Sequence, residues 1–127
     1  LAPISDLREI DFGRWEGKTF DEIAAADPDK ISDWAALKPD FTFPGGESLR
    51  DFEARIHRVA DRIRSSASSR LVIVTHGGII RYLLADLLRL SSDRVWIFAL
   101  PPGSVTALHL QDGYAQITSL TKNENLG

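Results

Sequence analysis

The chain has 127 residues and weighs 14.1 kDa, the size of one ordinary domain, and is read as a single domain over 1–127. With 43% hydrophobic and 26% charged residues it is neither disordered, collagen-like nor low-complexity, and no apolar run approaches the roughly 20 residues that span a bilayer. A net charge of −3 with no Lys/Arg run excludes a basic nucleic-acid face, and the absence of cysteine excludes disulfides, thiolate metal sites and a cysteine nucleophile.

Residues 1–18 read as irregular, with Gly13 and Gly17 as turn points. Thr19-Phe20-Asp21-Glu22 has a capping-box pattern and predicts a short helix that ends before Pro28. A second short helix is expected from about Asp29 to Leu37, with Ile31, Trp34 and Leu37 on one face. Phe41–Glu47 and Ser65–Ser69 read as the flexible breaks. Ser48 caps a long helix to about Ser65, whose Leu49, Phe52, Ile56, Val59, Ala60 and Ile63 recur every three or four residues. Arg55, Arg58, Arg62 and Arg64, interleaved with Glu53 and Asp61, read as its wet face.

Leu71-Val72-Ile73-Val74 is a continuous apolar run, the pattern of a strand buried on both faces in a parallel sheet. Thr75-His76-Gly77-Gly78 follows, and Ile79 to Leu88 reads as a helix apolar nearly all round. Val95 to Leu100 reads as a strand. Val105 to Leu110 and Tyr114 to Leu120 form a hairpin about Asp112-Gly113, a strong turn dipeptide. The fold class is therefore α/β, with a partly parallel sheet flanked by helices and a C-terminal β-hairpin.

Three stretches carry possible chemistry. Val74-Thr75-His76-Gly77-Gly78 puts a histidine where a strand stops and a helix begins, and ligands bind outside the carboxyl ends of strands in open α/β sheets. A helix N-terminus offers unpaired N–H groups to an anion, and His76 can donate to a phosphate oxygen. The bland alternative is a capping or packing histidine in a tight turn. Leu7 to Gly17 is an acid-rich loop with an aromatic pair framed by glycines, and bottom-up it does not say which acid matters. Pro44-Gly45-Gly46-Glu47-Ser48 is a glycine-rich turn that feeds the long helix. His57 reads as solvated on the polar side of that helix, and His109 as facing away from Leu108 and Leu110. No two histidines have metal-ligand spacing, so no metal site is expected.

Together, in this order, these stretches resemble the histidine phosphatase superfamily, with its phosphoglycerate-mutase-like three-layer fold. Leu-x-Glu-x-x-Phe-Gly-x-Trp-Glu-Gly at 7–17 is similar to the family's acid loop. Pro-Gly-Gly-Glu-Ser at 44–48, with Asp51 and Arg55, is similar to the start of its long helix. Val-Thr-His-Gly-Gly-x-x-Arg at 74–81 is similar to its second histidine motif, and Pro-Gly-Ser-Val at 102–105 to its C-terminal end.

The resemblance implies a phosphomonoester hydrolase acting through a phosphohistidine, with no cofactor. It implies Glu9 as general acid/base, His76 as the second catalytic histidine, and Gly77 and Ser104 as phosphate-binding residues; Arg81 keeps the family's spacing, for packing or an ion pair. The small bacterial alpha-ribazole phosphatases, which act in cobalamin biosynthesis, share Phe-Gly-x-Trp-Glu and a segment like Val95-Trp96-Ile97-Phe98. They also share the Pro-Gly-Ser and Gly-Tyr-Ala-x-Ile stretches. Fructose-bisphosphatase domains share Glu-Gly-x-Thr-x-x-Glu-Ile at 16–23, and phosphoglycerate mutases, broad-specificity phosphatases and a non-catalytic phosphate-binding module are further alternatives.

The family's Arg-His-Gly, which carries the nucleophilic histidine, occurs nowhere in these residues, and there is no methionine. The expectation is an inactive C-terminal fragment of a cytoplasmic enzyme. Its substrate would be a small phosphate ester, and an exposed sheet edge would allow a homodimer.

Overall fold

A computed structural model describes residues 2–121. Six regular elements run in chain order: helices α1 (Phe20–Ala26), α2 (Pro28–Ala35), α3 (Leu49–Arg64) and α4 (Gly77–Leu87), then strands β1 (Val105–Gln111) and β2 (Tyr114–Thr121). Short 3-10 turns lie at Ser5–Leu7, Gly13–Trp15 and Ser92–Ile97. The chain divides into two compact units, one of Ile10–Arg55 and one of the described residues of Leu1–Glu9 and Ile56–Gly127. α3 contributes residues to both.

In the Ile10–Arg55 unit Thr19 caps α1 as its residue type dictates: its hydroxyl accepts from the Glu22 N–H, and Pro28 starts α2. α2 ends at Ala35, two residues before the expected Leu37, which instead takes a left-handed backbone (φ 51°). The unit packs around aromatic rings. Phe43 is fully buried and meets Phe41, Phe12, Trp15 and Trp34 at centroid distances of 5.0 to 5.8 Å, with steep tilts in every case.

Residues 41–47 are therefore not a flexible break. The Phe43 N–H donates to Glu47 O (3.0 Å) and the Gly46 N–H to Phe43 O (2.8 Å), closing a turn whose aromatics are core. The acid-rich loop packs on that turn, with the Arg14 N–H on Pro44 O at 2.7 Å and the Glu47 N–H on Asp11 O at 3.0 Å. Backbone approaches backbone so closely that a Cβ at Gly13 would collide with Pro44 O, and one at Gly46 with Asp11 O.

Arg55 is the buried charge of this unit and not part of a wet face. Only 1% of its side chain is exposed; it pairs in bidentate fashion with Glu47 (2.8 and 3.0 Å) and lies over the Phe52 ring. Glu47 also accepts from the Asp11 N–H (3.3 Å), so one carboxylate serves the helix and the loop.

In the second unit Ile56, Val59 and Ala60 of α3 are buried, as are Ile79, Tyr82, Leu83, Leu84, Ala85 and Leu87 of α4. The helices follow the predicted periodicity. β1 and β2 pair antiparallel across Asp112-Gly113, whose φ values of 53° and 79° are those of a type I′ turn. Thr106, Leu108 and Leu110 form the half-buried face and His109 lies on the exposed one, as the alternation predicts.

Two expected strands do not form. Leu71–Val74 pairs with no strand among the described residues, and it is exposed, with Val72 at 85% and Val74 at 83%. The apolar pattern specifies which side chains want burial, but a strand exists only where a neighbour takes its hydrogen bonds. Val95–Leu100 overlaps the 3-10 turn at Ser92–Ile97, where local bonds such as Arg94 N–H to Ser91 O (2.9 Å) satisfy the backbone. The β1–β2 ladder is thus the sheet of the described residues, and no parallel pairing occurs among them.

Removing the Arg55 guanidinium leaves the Glu47 carboxylate with little water to replace it. Arg55→Ala is expected to lower the unfolding free energy by about 3 kcal/mol in urea titration. Losing the exposed Lys38–Asp33 pair should change it little. Equal small effects of the two would contradict a structural role for the Arg55–Glu47 pair.

Candidate active site

The Leu1–Glu9 and Ile56–Gly127 unit holds both chemically suggestive side chains. The 3-10 turn Ser5–Leu7 is tied to α3 by Asp6, whose two oxygens take Arg58 Nη2 and Nε at 3.2 Å each. At the turn's last residue, the Leu7 carbonyl accepts from the Thr75 hydroxyl at 2.7 Å. Glu9 lies two residues after Leu7 and His76 one after Thr75, so this bond brings the two residues close together. His76 Nδ1 lies 3.9 Å from Glu9 Oε2. Both stay open to water, with 57% and 37% of their side chains exposed.

His76 is the residue that caps α4. Its backbone is extended (φ −110°, ψ 159°), its carbonyl accepts the first helical bond from the Ile80 N–H at 2.9 Å, and its ring makes no cap bond. The ring is therefore left to the site. The N–H groups of Gly77, Gly78 and Ile79 are the unsatisfied donors that begin every helix, and they carry the positive end of its dipole.

A third charge sits there that the sequence left between packing and an ion pair. Arg81 donates from Nε to the Phe98 carbonyl at 3.0 Å, and its Nη1 lies 3.6 Å from where a Gly77 Cβ would be. No acid pairs with it among the described residues. The i, i+4 spacing from Gly77 was the signal: it places Arg81 one turn along the same helix face.

Of the expected site residues, the structure brings Glu9, His76 and Gly77 together. Ser104 stands in the turn before β1, held through its own N–H to Pro101 O (3.1 Å). Its hydroxyl makes no hydrogen bond to Glu9 or His76 among the described residues. No group of three or more His, Asp or Glu side chains among them is arranged to hold a metal ion. The arrangement is a carboxylate, an imidazole, a guanidinium and free N–H groups around one helix end. It suits a phosphate dianion, with an acid beside it able to pass a proton.

His57 has partners that its solvated position did not foretell. Its Nδ1 meets Asp86 Oδ2 at 2.9 Å, and its Nε2 meets Asp61 Oδ2 at 3.4 Å. Arg64 binds the same acids at 2.8 and 3.2 Å, so the four side chains bracket α3 and α4. The hydrogen bond to Asp86, then the charges of Asp86 and Asp61, raise the His57 pKa.

The sequence matches the family "Histidine phosphatase superfamily (branch 1)" over residues 2–123. The chain belongs to this superfamily. It is 26% identical over 118 residues to the adenosylcobalamin/alpha-ribazole phosphatase of Salmonella typhimurium, covering 92% of this chain and 58% of that protein. It is also 26% identical over 120 residues to phosphoserine phosphatase 1 of Hydrogenobacter thermophilus, covering 94% and 57%. Among solved structures, the alpha-ribazole phosphatase of Shigella flexneri superposes with a TM-score of 0.79 at 24% identity, over 94% of this chain and 59% of that one. That likeness establishes the phosphoglycerate-mutase-like fold, including its C-terminal hairpin. The chain spans somewhat more than half the length of these relatives.

A raised histidine pKa stabilises the fold while the ring is protonated. The contribution is complete below the unfolded value of 6.5 and disappears as pH rises through the higher folded value. Thermal unfolding is therefore expected at lower temperature above that range than below it, and His57→Gln should flatten the step. An unchanged step in the variant would assign it to another group.

Proposed function

We propose that the intact protein is a phosphomonoester hydrolase that works through a phosphohistidine, with alpha-ribazole 5'-phosphate as its substrate. The observation that carries the reading is the 3.9 Å approach of Glu9 to His76 at the N-terminus of α4, in a chain of this superfamily. In the proposal the helix end, the His76 ring and Arg81 bind the transferring phosphoryl group, whose equatorial oxygens gather charge in the transition state. Gly77 supplies an N–H to one of those oxygens, and Ser104 stands at the phosphate rim. Glu9 protonates the leaving alkoxide and then takes a proton from the water that attacks the phosphohistidine.

The names of the Salmonella and Shigella relatives support the substrate, as do Val95-Trp96-Ile97-Phe98, Pro102-Gly103-Ser104 and the Gly113-Tyr114-Ala115 hairpin. The Hydrogenobacter relative favours a second reading in which the substrate is phosphoserine. On the first reading residues 1–127 are the C-terminal part of one phosphatase domain, the protein is cytoplasmic, and the reaction serves cobalamin biosynthesis. These residues contain no Arg-His-Gly, so this chain by itself binds phosphate esters without turning them over.

The test is hydrolysis by the intact gene product, with EDTA present, of alpha-ribazole 5'-phosphate, phosphoserine and p-nitrophenyl phosphate. The expected kcat/KM is highest for alpha-ribazole 5'-phosphate. His76→Ala should lower all three by about 100-fold or more. Glu9→Gln should slow the two alkyl esters by about 100-fold or more and the nitrophenyl ester far less, because nitrophenolate leaves without a proton. Preference for phosphoserine would select the second reading. Indifference to both substitutions, or turnover by the 127-residue chain alone, would contradict the assigned roles.

A further inference from the structure

Glu9 stands in a stretch that forms no helix or strand: residues 8–12 lie between the 3-10 turns Ser5–Leu7 and Gly13–Trp15. It is also the last residue of its compact unit before the chain passes into the other. A side chain so placed takes its position from whatever fastens the backbone beside it. Two residues before Glu9 the first turn ends, and the end of a helical turn leaves carbonyls that no following N–H takes up. The Leu7 carbonyl is one of these, and the half-buried Thr75 hydroxyl donates to it at 2.7 Å. Arg8 then runs extended (φ −64°, ψ 152°) into Glu9.

The other end of the bond is as close to the chemistry. Thr75 is the residue before His76, whose backbone is extended and whose carbonyl takes the first bond of α4 from the Ile80 N–H. Few rotatable bonds therefore separate this one hydrogen bond from the carboxylate on one side or the imidazole on the other. A β-branched side chain suits the task. Its χ1 is restricted, so the hydroxyl stays aimed at the carbonyl with little freedom to lose.

We infer that Thr75 is a positioning residue for the general acid: by holding the Leu7 carbonyl, its hydroxyl keeps the Glu9 carboxyl within reach of the leaving oxygen of a phosphate ester bound at the start of α4. The inference rests on the proposed role of Glu9. In the transfer step the nucleophilic histidine nitrogen of the intact protein bonds to phosphorus, the P–O bond to the alcohol breaks, and the Glu9 proton goes to the departing oxygen. Thr75 touches none of these atoms, and its effect travels through Glu9. An acid misplaced by about 1 Å forfeits much of its effect. That loss grows with the basicity of the departing oxygen, because only a poor leaving group needs the proton. A hydroxyl that merely satisfied a carbonyl would, when removed, slow every ester alike.

The test is kcat/KM of the intact gene product for phosphate monoesters whose alcohols run from p-nitrophenol to a simple alkanol, with circular dichroism to check each variant's fold. Thr75→Val keeps the side chain's shape and removes the bond. It should lower the alkyl-ester value about 10-fold more than the nitrophenyl value. Thr75→Ala removes the same bond and should give the same pattern, and Thr75→Ser should restore most of the difference. Added to Glu9→Gln, Thr75→Val should slow the alkyl esters little further, because the two residues act as one unit. Equal losses for all the esters, no rescue by Thr75→Ser, or a full further loss in the double variant overturns the inference and leaves the role of Glu9 standing. If Glu9→Gln alone slows all the esters alike, the role of Glu9 falls and the inference falls with it.

Discussion

The hydrogen bond from the Thr75 hydroxyl to the Leu7 carbonyl, 2.7 Å long across 68 positions of sequence, is the constraint on which the site depends. It joins two stretches that have no ladder between them. On one side the Asp6–Arg58 pair fixes the turn before Leu7 to α3, and on the other α4 begins one residue after His76. With both sides anchored, a single side-chain bond is enough to bring a carboxylate within 3.9 Å of an imidazole. The packing of Ile79, Leu83 and Leu87 in turn holds α4 so that its N-terminus opens on that pair.

The electrostatics of this helix end follow from the same arrangement. First-turn N–H groups, an imidazole and a half-buried guanidinium all favour an anion, and the Glu9 carboxylate stands close enough to exchange a proton with whatever binds. Elsewhere charge is used to fasten. Arg55 spends its guanidinium on Glu47 inside an aromatic core, and Arg64 spends its own on Asp61 and Asp86. Arg81 differs from these two: its Nε is anchored to a carbonyl and its Nη1 is left beside Gly77. That difference marks it as a candidate for binding, while its sequence neighbours along the helix serve the core.

Much of this was legible in the residues. Helix periodicity located α3 and α4, Thr19 and Ser48 marked helix starts, and Asp112-Gly113 fixed the hairpin, because each of these signals is local. His76 and Gly77 were legible because a helix start needs no distant partner to define it. What escaped were features made by long-range neighbours. The strand at 71–74 fails to form because nothing among the described residues pairs with it, and Val95–Leu100 curls because local bonds win. The 41–47 turn looked loose from its glycines, yet Phe41 and Phe43 make it core. Arg55 sat on the arithmetic of a polar face, and its pairing with Glu47, eight residues earlier in the chain, offsets its burial.

The central claim is that the start of α4, with His76 and Glu9 before it, is a phosphate-binding site. The most direct measurement is a titration of the ¹⁵N-labelled chain with inorganic phosphate, followed by NMR with matched sodium chloride as control. The account predicts saturable shifts concentrated on the Gly77 and Gly78 amides and the His76 ring, lost in His76→Ala. Shifts that are absent, or that scatter over the surface and match those in chloride, would contradict it.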